Sequence, residues 1–214
     1  MNITIDSLTL EVSDPAASQR FYETAFGVDS LVRARTARVL ASGFRGFSIS
    51  LVVGQPSTVD SLLETALADG AKILKPAKKG LWGYGAVVQD ADEVVWKLAT
   101  SAKKDKGPAT REIDDLVLLI GATDLGATKR FYVERGLPVK RSFPGRYVEF
   151  DAPPGGIKLA LYPGRAGLAK DAGVSPDGAG PHGIAVNSNA EPFSDPDGFS
   201  WEARAATGPM SPKR

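Results

Sequence analysis

The chain is written twice. Residues 5–28, IDSLTLEVSDPAASQRFYETAFGV, return at 113–139 as IDDLVLLIGATDLGATKRFYVERGLPV, with Ile-Asp-x-Leu, a helix-opening Asp and Arg-Phe-Tyr in common. A repeat on this scale restricts the fold to two copies of one unit, whose apolar faces cover each other. Alternation in LTLEV and LVLLI predicts strands, and Asp14 before Pro15, or Thr123 with Asp124, predicts a helix start. The ends repeat as well: VVQDADEVVWKLA (87–99) and PFSDPDGFSWEA (192–203) each predict two short strands around a tight Asp-x-Asp turn. After the shared Trp the copies diverge, with Lys97 in one and Glu202 in the other.

The middles are trimmed in opposite ways. Copy one has a strand in FRGFSISLVV (44–53) and a helix that Thr58 is expected to cap and Gly70 to end, but DSLVRARTARVLAS offers at most two strands. Copy two has three strands in PVKRSF, RYVEFD and IKLALYP, yet no room for a helix between GPHGIAV and EPFSDPDGF. We expect the intact second half of copy one to pair with the intact first half of copy two around one full cleft, leaving the other pairing vestigial. The expected boundaries are a first domain over 1–104 with a shortened first module, a linker at 105–112, a second domain over 113–205 whose second module lacks its helix, and a flexible tail at 206–214.

Composition removes several classes of function. The 214 residues are 43% hydrophobic, enough for one or two cores, and 26 Lys plus Arg against 25 Asp plus Glu leave no field for nucleic acid or an anionic membrane. There is no cysteine, hence no disulfide, thiolate metal site or thiol nucleophile. The N-terminus has no basic-then-apolar leader, and no window approaches eighteen apolar residues, so a cytoplasmic protein is expected. No P-loop or G-x-S-x-G occurs.

Strand, D-x-x-x-S/T-x-R-F-Y helix, G-F-x-G-F strand, W-G-Y-G turn and D-P-D-G-x-x-W-E ending occur in that order. This resembles the vicinal oxygen chelate superfamily of glyoxalases, bleomycin-resistance proteins and extradiol dioxygenases. The resemblance implies an α+β fold of tandem glyoxalase-like domains, with paired βαβββ modules whose curled mixed sheets surround a cleft. It also implies metal ligands on the first, a later inner, and the last strand of a module. Copy one has Ser7, Phe47 or Ser48, and Lys97 at those places, none of them a ligand. Copy two has Asp115, His182 and Glu202, which could hold Mg, Mn, Ni or Zn. His182 is the single histidine, which excludes a two-His site within one chain and makes a dioxygenase a poor fit. A loop histidine bonded to backbone is the simpler role for it.

The first expectation is therefore a metal-free protein without a cofactor that holds a planar or aromatic organic molecule in an inter-module cleft. Arg45, Phe47, Trp82, Tyr84, Lys97, Asp115 and Tyr147 are its expected contacts. The alternative is a divalent-metal lyase or isomerase using Asp115, His182 and Glu202, the last two also being the candidate catalytic groups. A third reading is a structural or interaction protein with closed clefts. The expected partner is a small molecule, with the chain a monomer or a homodimer.

Overall fold

The structure, a computed structural model, describes residues 2–81 and 83–204, so Trp82 and the tail at 206–214 lie outside the described residues. Copy one runs β1 (Ile5–Val12), α1 (Pro15–Phe21, continued by a wider turn to Phe26), β2 (Val32–Thr36), β3 (Ser42–Gly43), β4 (Phe47–Val52), α2 (Pro56–Ala68), β5 (Lys72–Gly80), β6 (Gly83–Gln89) and β7 (Val95–Thr100). Copy two runs β8 (Asp115–Ala122), α3 (Leu125–Glu134), β9 (Val139–Phe143), β10 (Tyr147–Phe150), β11 (Lys158–Pro163), α4 (Gly164–Ala172), β12 (Gly178–Ala179), β13 (Ile184–Ser188), β14 (Phe193–Ser194) and β15 (Ser200–Ala203).

Each main sheet draws on both copies. The larger has eight strands in the order β5-β6-β7-β4-β8-β11-β10-β9, joined across the copies by the antiparallel pair β4 and β8. This is the union of the two untrimmed halves. The trimmed halves form a second sheet of five strands, β14-β15-β13-β1-β2, joined by β1 and β13. In it β2 lies parallel to β1 as β11 lies parallel to β8, so the two strands missing from copy one are those that would extend the sheet outward.

One apolar core joins the back faces of both sheets to α1, α2 and α3. Trp96 packs on Tyr22 and Phe26, and Trp201 on Tyr132 and Phe193. The duplicated Arg-Phe-Tyr and Trp positions therefore supply the same packing twice.

The Asp-x-Asp turns tie each copy's end to its beginning. Asp92 accepts from Ser13 N and the Ser18 hydroxyl at the mouth of α1, and Asp197 accepts likewise from Thr123 N and the Thr128 hydroxyl at α3. Asp14 and Asp124 cap those helices through Ala17 N and Ala127 N at 3.0 and 2.9 Å.

Two local expectations change. α2 starts at Pro56 after Gln55, because proline's fixed φ suits the first helical position, and the Thr58 hydroxyl instead accepts from Thr110 N in the linker. α4 is an element the periodicity does not announce. Its segment, GRAGLAKDA, is short and glycine-rich, and packing on the eight-stranded sheet holds it helical.

Candidate functional site

Strand alternation gives each sheet a front face, away from the shared core. On the five-stranded sheet this face carries Ser7, Thr9 and Glu11 of β1, Arg35 of β2, Asn187 of β13, and Ser200 and Glu202 of β15. Arg35 Nη1 and Nη2 donate to Glu202 at 2.9 and 2.8 Å, while Nε and Nη2 donate to Glu11 at 3.2 and 2.9 Å. Four of the guanidinium's five N–H donors are thereby committed. Its pKa is raised, chiefly by the bonds to Glu202 and against the effect of burial. Behind this cluster Asn187 Oδ1 accepts from Thr9 and Ser7. The cleft above it measures about 400 Å³ and reaches Arg38, Pro181, His182 and Gly198. Loss of the outer strands leaves it open on the β2 side.

On the eight-stranded sheet the front face is covered. Leu168, Ala169 and Ala172 of α4 are buried against Val87, Val95, Val117, Leu119 and Ala160. Lys97 points into this space and pairs with Asp171 of α4. Asp115 pairs with Lys158 at 2.5 Å on the same face. Lys97 and Glu202 thus hold equivalent places on different sheets, and each is matched by an opposite charge from its own chain.

The other expected contacts are dispersed. Phe47 is 1% exposed in the main core, and Tyr84 faces the same side, donating to Asp60 at 2.7 Å, a bond that pushes its phenol up to about 12. Tyr147 lies on the α4 side, edge-on to Tyr162. Arg45 is buried and donates to the carbonyls of Glu11, Asp92, His182 and Gly183, so it fastens the loop before β4 to β1 and β13. Gly183, at φ 62°, is required there, since a Cβ would strike the Arg45 guanidinium. His182 is stacked on Phe199, with Nδ1 2.7 Å from Arg45 O and Nε2 3.0 Å from Asp197 O.

These positions bear on metal binding. Asp115 is on one sheet and Glu202 on the other, and His182 has both nitrogens against carbonyls. Among the described residues no three His, Asp or Glu side chains gather to hold an ion. Where two carboxylates do converge, at Glu11 and Glu202, the Arg35 guanidinium fills the space between them. The residues present do not fit a resident divalent cation.

Sequence reading missed Arg35 and Glu11. Their signal was available: in VRART and LTLEV the charges fall on the polar phase of two alternating strands, and only the parallel β1–β2 pairing sets Glu11 beside Arg35.

Solved structures share this architecture. Glyoxalase I from Zea mays superposes with a TM-score of 0.63 over 94% of this chain and 92% of its own, at 15% identity. The chain has the vicinal oxygen chelate fold. A candidate dioxygenase from Bacillus subtilis shares it too, with a TM-score of 0.58 over 95% of this chain and 86% of its own, at 11% identity. No protein-family model and no curated protein matches the sequence. Such identities carry the vicinal oxygen chelate fold and not an activity. No helix among the described residues is long and apolar enough to cross a membrane.

Proposed function

We propose that this chain binds a small polar organic molecule in the cleft of the five-stranded sheet, between modules of the two copies and without a resident metal. The observation that carries this reading is Arg35 held between Glu11 and Glu202 in an open cleft of about 400 Å³, a volume in the range of small-molecule sites. The guanidinium supplies the positive charge that two converging carboxylates require. The carboxylates keep free lone pairs for a ligand's N–H or O–H groups, and Arg38 lines the same cleft with a second cation. The lining charges of Glu11, Glu202, Arg35 and Arg38 cancel, which favours a zwitterion, its amine on the carboxylates and its acid on Arg38.

The planar aromatic ligand expected from sequence has less support, because Phe47 and Tyr84 face the opposite side of the other sheet. A closed, structural role is favoured by α4 over the eight-stranded sheet, but not by the open face of the smaller one.

The test is a thermal-unfolding screen with free amino acids, their decarboxylated amines and their deaminated acids. Zwitterions raise the midpoint most, and the rise disappears in Glu202→Gln. Equal shifts for all three classes, no shift with any, or a shift retained in Glu202→Gln would contradict this reading.

A further inference from the structure

The covered face of the eight-stranded sheet is built like a site with something already in it. α4 presents an apolar body, Leu168, Ala169 and Ala172, each fully buried, and one carboxylate, Asp171, which meets Lys97. Beneath it the Ser48 hydroxyl is completely buried and has no hydrogen-bond partner among the described residues. Phe47, Ile49 and Leu51 point into the main core, so alternation places Ser48 on the α4 side. A buried orphaned hydroxyl calls for an explanation, and of the three among the described residues, on Tyr22, Ser48 and Ser57, this is the one under α4.

The occupant is made to be weak as a helix. It has nine residues, begins after Pro163 with no side-chain cap, contains Gly164 and Gly167, and ends at Gly173. Gly164 and Gly173 lie at φ 74° and 84°, positions where the chain bends at both ends. A helix this short and glycine-rich does not persist in water by itself. Besides that apolar packing its polar attachments are few: Asp171 to Lys97, Lys75 Nζ to the carbonyls of Lys170 and Asp171, and Arg165 to Phe44 O and Pro176 O.

We propose that this face is a second binding site, for an apolar molecule bearing one carboxylate, and that α4 is its built-in occupant, with Asp171 on Lys97 holding the place of the ligand's acid group. The ligand's acid takes over Lys97, its apolar part takes over the surface under Leu168, and α4 swings out about Gly164 and Gly173. The proposal is independent of the cleft on the five-stranded sheet, so either can fail without the other.

Decanoate is the probe and decanol its uncharged control, with calorimetry for affinity and amide exchange for α4. Decanoate binds at least tenfold more tightly than decanol, Lys97→Met removes that preference, and Lys97→Arg restores most of it. Asp171→Asn, which removes the competing acid and keeps the packing, binds decanoate several-fold more tightly than wild type. Exchange at 165–172 speeds up when decanoate binds. Equal affinity for acid and alcohol, no binding even in Asp171→Asn, or exchange at 165–172 that slows or stays unchanged would each overturn the proposal. Lys97→Arg keeps the test decisive if Lys97→Met does not fold.

Discussion

Trp96 donates its indole N–H to Asp90 at 2.9 Å inside the core, and the carboxylate's other oxygen accepts from the backbone N–H groups of Asp92 and Val94. Burial nevertheless raises the Asp90 pKa from 3.8 to about 6. Between those values the folded chain keeps a proton that the unfolded chain has released. Asp90 therefore stabilises the fold most below about pH 4, and that contribution is lost as pH rises to about 6, by on the order of 3 kcal/mol. Urea unfolding of wild type and Asp90→Asn at pH 4 and 7 should show the wild-type advantage shrinking at the higher pH. A difference independent of pH would contradict it. Asp195, raised by burial as well, acts in the same direction.

The two copies differ at the equivalent tyrosine. Tyr132 donates to Asp195 at 2.7 Å and accepts from Trp201, whereas the Tyr22 hydroxyl is buried without a partner among the described residues. Tyr132→Phe should cost about 2 kcal/mol, since it leaves a buried carboxylate and an indole N–H short of a bond, while Tyr22→Phe should be neutral or slightly stabilising. Chemical denaturation midpoints of the two variants check this contrast.

Arg45 was expected to meet a ligand and instead holds four backbone carbonyls together. Arg45→Met should destabilise by about 3 to 5 kcal/mol and speed amide exchange around residues 181–184, because it strands buried acceptors from three segments. Arg45→Lys should recover only part of this, since one ammonium cannot reproduce the guanidinium's fork. Full recovery by lysine would assign Arg45 a role of charge alone.

The pairing of the untrimmed halves was legible because their losses are complementary, but α4 covers the face where a full cleft was expected, and the open cleft lies on the trimmed pairing expected to be vestigial. The two helix starts were legible because Asp14 and Asp124 are strong caps. α4 was not, since GRAGLAKDA has neither caps nor apolar periodicity and becomes a helix only against Val117 and Leu119. At Lys97 and Glu202, where the repeat changes sign, the sequence shows two charges and not what faces them. Their partners, Asp171 and Arg35, come from elements far away in sequence, and only the strand order β15-β13-β1-β2 and the packing of α4 on the eight-stranded sheet bring them into reach.

Arg35 fills the place of a cation between Glu11 and Glu202, and a manganese titration followed by thermal unfolding tests this on wild type, Glu202→Ala and Arg35→Ala. Removing Arg35 leaves Glu11 and Glu202 converging with no counter-charge, so Mn²⁺ should stabilise Arg35→Ala by several degrees while leaving wild type unmoved. Wild-type protein that is stabilised by about one equivalent of manganese, and loses that response in Glu202→Ala, would contradict this role of Arg35.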